Sequence, residues 1–88
     1  GELLALTPGD FSFKAGTGLV LEHKGLEQPS LKIYNLRGQQ VYSARLNKGS
    51  DRWRGVDSRG KEVGSGIYFL RLESTGRPAI NRKIIVIK

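Results

Sequence analysis

The sequence predicts an all-β protein, an immunoglobulin-like antiparallel β-sandwich of about seven strands. Short runs in which apolar and polar residues alternate recur along the chain, and turn-forming residues separate them. No stretch shows a helical period longer than two turns. Twelve glycines and three prolines supply the turns that such a sandwich needs.

The length of 88 residues suits one small domain, and we expect residues 1–88 to form a single β-sandwich. The chain has no cysteine, so neither a disulfide nor a thiolate ligand is available. No run reaches the ~18 apolar residues of a transmembrane segment, and no signal peptide is visible at the N-terminus. We therefore expect an excised module of a longer precursor.

The first half of the chain predicts a clear hairpin preceded by shorter elements. A short apolar segment at 3–6 ends at a turn over 7–10, where proline and glycine are adjacent. Residues 11–13 predict a brief first strand, and residues 19–23 predict a second. The hairpin then pairs residues 31–35, with Leu31 and Ile33 on one face, with residues 41–46 across a turn in which Gly38 adopts positive φ.

The second half is organised around the stretch from Trp53 to Leu72. A strand around Trp53 leads to a turn at 57–60, where the side chain of Asp57 can bond its own backbone and Gly60 accepts unusual dihedral angles. Gly64 and Gly66 then permit a close crossing over another element and positive φ.

Two strands complete the chain after this crossing. The first of them, at 67–73, places Tyr68, Leu70 and Leu72 on one face and the residues between them on the other. A turn at 74–78 leads to the last strand, at 79–87.

Three blocks of sequence carry a family resemblance over roughly residues 30–88. They are LKIYNLRGQQV at 31–41, W-x-G-x-D-x-x-G-x-x-V-x-x-G-x-Y at 53–68 and RKIIVIK at 82–88. In this order the blocks resemble the C-terminal sorting domain of proteins exported by the type IX secretion system. They also resemble the immunoglobulin-like domain of flagellar hook-capping proteins, a domain that normally sits inside a chain instead of ending in RKIIVIK.

The resemblance implies a non-catalytic C-terminal module of a secreted or cell-surface bacterial protein that passes through the periplasm. Its expected partner is the outer-membrane secretion machinery, which would recognise it for export and surface attachment. The positions that match the family's motifs are Gly66, Tyr68, Lys83 and Lys88. Residues 82–88 are apolar on both faces and bracketed by cations, so they form either a strand buried between neighbours or an exposed edge suited to strand addition.

The charge of the chain is uneven. Residues 1–29 hold two cationic and four acidic residues, whereas residues 30–88 hold 13 and four, which together give the net charge of +7. Such a surplus favours an acidic partner such as acidic polysaccharide, lipopolysaccharide or a negatively charged membrane protein. The cations of the middle third form either a solvated surface or a basic docking patch, and nucleic acid is disfavoured because neither a groove nor interleaved aromatic residues can be recognised. These cations are Arg37, Arg45, Lys48, Arg52, Arg54, Arg59 and Lys61.

An alternative function is that of a basic accessory or carbohydrate-binding module of a polysaccharide-degrading enzyme, held on insoluble plant polysaccharide. Tyr34 and Tyr42 lie on the predicted hairpin and could be exposed together as a platform for sugar rings. Trp53 is a third candidate for sugar stacking. For both Trp53 and Tyr68 we favour a place in the core.

Catalytic and metal-binding patterns are weak, and we expect neither an enzyme nor a cofactor. His23 is the only histidine, has no serine or aspartate in a recognisable relation to it, and suits a strand residue at a sheet edge. The turn at Asp57 faintly resembles a calcium loop, but one carboxylate beside an arginine is too weak a field for that ion. We predict no metal site.

Overall fold

Eight β-strands are present in the described part of the chain. In this computed structural model, which describes residues 4–8, 12–14, 16–47 and 49–87, every strand is short except the last two. The strands are β1 Leu4–Thr7, β2 Ser12–Lys14, β3 Leu19–His23, β4 Ser30–Tyr34, β5 Gln40–Arg45, β6 Ser50–Trp53, β7 Gly66–Ser74 and β8 Arg77–Ile87.

The strands form two sheets, which confirms the predicted β-sandwich of immunoglobulin-like type. One sheet has the order β1-β3-β6, and the other has the order β2-β8-β7-β4-β5. One pair of neighbouring strands departs from the antiparallel arrangement, because β2 runs parallel to β8. Residues 4–6, expected only to be apolar, belong to β1, which pairs antiparallel with β3.

Alternating side chains of both sheets meet in one hydrophobic core. Tyr68, Leu70 and Leu72 of β7 point inward, as predicted, and so do Leu31 and Ile33 of β4. Each fully buried aliphatic side chain contributes about 1.5–3 kcal/mol relative to an exposed one. The buried cluster consists of Leu4, Leu6, Phe13, Leu19, Leu21, Leu31, Ile33, Trp53, Val63, Tyr68, Leu70, Leu72, Ile84 and Val86.

Trp53 joins the two sheets. Its indole is 1% exposed and lies on β6 of the three-stranded sheet, and its ring contacts aromatic rings from three strands of the other sheet. The ring centroids lie 5.6 Å from Phe13, 6.1 Å from Tyr42 and 6.3 Å from Tyr68. The indole Nε1–H donates a hydrogen bond of 2.9 Å to the carbonyl oxygen of Val56. The only tryptophan therefore occupies the centre of the sandwich and has its polar atom satisfied.

Two turns of the same sequence pattern adopt the same structure. Asn35 and Asp57 each begin a five-residue segment with arginine third and glycine fourth. In both segments the Oδ1 atom of the first residue accepts backbone N–H groups from the third and fifth residues at 2.9 and 3.0 Å. The predicted positive φ is confirmed at Gly38 (81°) and at Gly60 (84°). The shared pattern thus specifies its turn locally, independently of the strands on either side.

Gly18 directly precedes β3 and lies close to Arg52 and Trp53 of β6. We expect Gly18→Ala to lower the free energy of unfolding by about 1–3 kcal/mol. Its φ is +96°, and a Cβ atom there would lie 2.8 Å from Cγ of Arg52 and 3.2 Å from the carbonyl oxygen of Trp53. Gly16→Ala is the matched control, because Gly16 has φ of +92° but no described atom within 4 Å of a Cβ. Urea unfolding of both variants distinguishes the cost of the close contact at Gly18 from the cost of positive φ, which both glycines share. Equal losses of unfolding free energy in the two variants would contradict a steric effect at Gly18.

Candidate functional site

The last strand, β8, is paired along its length on one side but only near its C-terminal end on the other side. Residues Gly66 to Ser74 of β7 pair with it along its length, and β2 pairs only with residues 85–87 on the other side. Among the described residues, 77–84 have no strand partner on the β2 side. Residues 82–88 were predicted to form either a strand between two neighbours or an exposed edge. Each alternative holds for part of the described segment, because residues 85–86 lie between β2 and β7, whereas residues 82–84 lie at an edge.

The two faces of β8 differ sharply. Ile84 and Val86 are buried in the core at 0% and 1% exposure, whereas Ile85 and Ile87 are exposed at 37% and 45%. Lys83 is exposed on the same outer face and lies directly opposite Phe69 of β7. Lys88, the other cation predicted for export recognition, lies outside the described residues. The terminal apolar run thus serves the core with one face and leaves an apolar face in solvent.

Tyr68 holds the start of β7 in place, and Gly66 is the first residue of this strand. The Tyr68 hydroxyl donates a hydrogen bond of 2.8 Å to the carbonyl oxygen of Gly64, and its ring packs on Trp53. Burial raises the pKa of the Tyr68 hydroxyl above its ordinary value. Gly66 has positive φ (147°), as predicted, but a Cβ on Gly64 or Gly66 would meet no described atom within 4 Å. The predicted close crossing at these two glycines is therefore wrong, since no described neighbour lies near enough to require glycine there.

The predicted sugar-binding platform is not assembled. Trp53 is 1% exposed, which confirms the favoured place in the core, and it cannot offer a ring face to a ligand, so the alternative of sugar stacking is wrong for this residue. Tyr42 pairs with the buried Ile33 and faces the core, whereas Tyr34 is the next residue along β4 and faces outward beside Phe69. Because successive residues of a strand point to opposite faces, the two tyrosines lie on opposite sides of the sheet.

The basic residues considered as a possible docking patch lie on several elements of the fold. Arg37 lies in the β4–β5 turn, and Arg45 ends β5 roughly 17 Å away at 3.4 Å per residue. Arg52 lies on β6 in the other sheet, where its guanidinium donates to the carbonyl oxygen of Thr17 at 3.0 Å. The turn after β6 carries Arg54, Arg59 and Lys61, and Lys48 lies outside the described residues. Arg45 and Arg52 thus lie on different sheets, and the two alternatives for these cations, a solvated surface and a docking patch, stay predictions.

His23 was predicted at a sheet edge, and this prediction is wrong. The residue lies on β3, the central strand of its sheet. It is 7% exposed, and its Nε2 atom lies 3.3 Å from Oδ2 of Asp51, a partner that sequence spacing did not reveal. The same carboxylate accepts the backbone N–H and the side-chain amide of Asn47 at 2.8 and 3.1 Å. A cavity of about 690 Å³ adjoins His23, and its described lining includes no serine, threonine or cysteine that could act as a nucleophile. The pair closes one end of the core.

The described residues contain no cluster of three acidic or histidine side chains that could hold a metal ion. At the turn of Asp57 the carboxylate Oδ1 atom accepts two backbone N–H groups. Across residues 4–8, 12–14, 16–47 and 49–87, no helix is long and apolar enough to cross a membrane.

Two half-buried carboxylates, Asp57 and Glu73, have pKa values below their ordinary ones. Hydrogen bonds from the backbone N–H groups of Lys61 and Arg59 lower the pKa of Asp57. Hydrogen bonds from the side chains of Lys32 (2.8 Å) and Arg71 (3.1 Å) lower the pKa of Glu73. The hydrogen bond between Lys32 and Glu73 also raises the pKa of Lys32. A carboxyl group with a lower pKa in the folded than in the unfolded state stabilises the fold above the unfolded pKa, about 4.

We therefore expect the urea midpoint to fall as the pH drops below about 4, through the folded pKa values of Asp57 and Glu73. Asp57→Asn is the matched variant, because Asn35 shows that an asparagine makes the same turn. It should retain the fold at pH 7 and lose part of the acid dependence. A midpoint that falls as steeply in Asp57→Asn as in the wild type would exclude a contribution from this carboxylate.

Comparisons with known proteins were made for the sequence and for the fold. The sequence model of the CHU_C type IX secretion signal domain matches residues 16–87. Among solved structures, the chain is similar to a part of PorZ, described as an essential bacterial surface component of the type-IX secretion system of Porphyromonas gingivalis. The TM-score is 0.74 and the identity 19%, with 97% of this chain and 11% of the PorZ chain covered, so this likeness shows the fold. The search among curated protein sequences found no match.

Proposed function

Because this chain belongs to the family of type IX secretion signal domains, we propose that it is the C-terminal export signal of a larger secreted protein and is recognised, folded, by the outer-membrane secretion machinery. The match over residues 16–87 carries this proposal. Membership of the family implies export to the cell surface or release from the cell. On the proposed route the protein passes through the periplasm, and residues 1–88 act as one non-catalytic domain.

Within this function the four residues of the family motifs have two different roles. Gly66 and Tyr68 are positioning residues, because the bond from Tyr68 to Gly64 and the packing on Trp53 hold the strand that pairs with β8. Lys83 is a contact residue, since its side chain is exposed on β8 and is not part of any ion pair among the described residues. Lys88 is proposed as the second contact from the family motif alone.

The carbohydrate-binding alternative receives no support from the geometry. Stacking of a sugar needs an exposed aromatic face, and the three candidate rings are either buried or on opposite faces of the sheet.

The test is an export assay. Residues 1–88 are fused behind a signal peptide and a fluorescent reporter in a host with a working type IX system and in an isogenic strain in which that system is inactivated. The expected result is reporter on the surface or in the medium of the working strain and in the periplasm of the inactivated strain. A folded fusion that stays in the periplasm of both strains would refute the proposed function.

A further inference from the structure

The outer face of the five-stranded sheet carries an apolar surface that the core does not explain. Strand register places Ile67 directly opposite Ile85, and Phe69 lies between Lys83 on β8 and Tyr34 on β4. Phe69, Ile85 and Ile87 are exposed at 40%, 37% and 45%. We name the five residues Tyr34, Ile67, Phe69, Ile85 and Ile87 the apolar band. It crosses β8, β7 and β4 on one side of the sandwich.

The residues around the apolar band are predominantly cationic. Lys14 of β2 pairs with Ile87 at one side of the band, and Lys83 pairs with Phe69. Lys32 and Arg71 form the next row, and Arg45 lies beyond them on β5. On the described part of this face Glu73 is the only carboxylate, and it is already bonded to Lys32 and Arg71. The described part of this face therefore carries five cations and one carboxylate, and that carboxylate bonds two of the five.

An apolar centre with a charged rim is the composition of a protein interface. Because the rim is positive, a second copy of this face would be repelled, and a partner with acidic residues around its own apolar patch would be attracted. Phenylalanine and isoleucine in solvent gain from desolvation only against another apolar surface.

From this arrangement we infer that the apolar band and its cationic rim are the docking face for an acidic protein surface with an apolar centre. The inference rests on the proposed function, since the partner would be a component of the export machinery that reads the folded domain. Phe69, Ile85 and Ile87 supply the buried contact. Lys14 and Lys83 supply the charge that orients the partner.

The test uses the reporter fusion with paired substitutions. Phe69→Ser with Ile85→Ser removes the apolar contact, and Lys14→Glu with Lys83→Glu reverses the charge of the rim. The matched control is Leu36→Ser with Lys24→Glu, because Leu36 is an exposed apolar residue (67%) in the β4–β5 turn and Lys24 is an exposed cation after β3, and neither belongs to the apolar band or its cationic rim. Urea unfolding of each purified variant verifies that the fold is retained.

We expect both docking-face variants to reduce export roughly ten-fold or more while the control is exported as the wild type is. Wild-type export from variants that remain folded would overturn the docking face and leave the proposed function standing. Failure of the wild-type fusion itself would remove the proposed function and this inference with it.

Binding to vesicles of phosphatidylglycerol distinguishes a membrane surface from a protein partner. Wild-type binding to these vesicles that both variants lose, with export unchanged, would assign the face to anionic lipid and overturn the inference. Export that depends on the face without vesicle binding supports the protein partner.

Discussion

Replacing Trp53 by alanine is expected to lower the free energy of unfolding by about 3–5 kcal/mol and to lower the urea midpoint strongly. The indole is 1% exposed and contacts Phe13, Tyr42 and Tyr68, so truncation leaves a cavity between the two sheets. Removal of a buried tryptophan costs about 3–5 kcal/mol, which approaches the whole stability of a small domain, about 5–15 kcal/mol in general. Urea unfolding followed by far-ultraviolet circular dichroism measures the loss.

The control for this variant is Trp53→Phe. It keeps an aromatic ring in the core but removes the N–H that donates to the carbonyl oxygen of Val56, so the cost should be smaller, about 1–3 kcal/mol. A Trp53→Ala protein that unfolds at the wild-type urea midpoint would contradict the central position of this residue. Equal losses in the two variants would assign the effect to the hydrogen bond alone.

Removal of residues 83–88 is expected to abolish cooperative folding. The truncation deletes Ile84 and Val86, which are 0% and 1% exposed, and each buried side chain of this size contributes about 1.5–3 kcal/mol. It also removes the strand with which β2 pairs and the partners of Gly66 to Phe69 on β7. The expected urea curve has no sigmoidal transition.

A matched variant keeps the strand and alters only its exposed side. Lys83→Ala with Ile87→Ser leaves both core residues of β8 in place, and exposed substitutions of this kind usually change stability by about 0.5 kcal/mol each. A truncated protein with a wild-type transition would show that the end of β8 is not needed for the fold. Loss of export in the truncated protein therefore has to be compared with loss in this folded variant before it is assigned to recognition.

Local patterns determined much of the fold. The alternation of Tyr68, Leu70 and Leu72 predicted which face of β7 is buried, because a side-chain period of two follows from strand geometry alone. The turns at Asn35 and Asp57 are likewise local, since each is closed by bonds within five residues. These features need no information from distant parts of the chain.

The candidate site was predicted only in part. The sequence indicated the positions of Gly66, Tyr68 and Lys83 through the family blocks, and the structure buries Tyr68 and exposes Lys83. The run RKIIVIK indicated that both faces of the last strand are apolar. It could not indicate that Phe69 stands beside Lys83 to extend the exposed face, because that contact depends on the register between β7 and β8.

By itself, the sequence determined the fold class, the turns that begin at Asn35 and Asp57, and the inward faces of β4 and β7. Only the tertiary structure decided which distant residues share a surface. Tyr34 and Tyr42 lie on opposite faces of their sheet, and Arg45 and Arg52 lie on different sheets. His23, in contrast, contacts Asp51, which is 28 positions away in the sequence. The physical reason is that the order of strands in each sheet arises from the burial of all the strands together, and no local pattern of residues encodes that order.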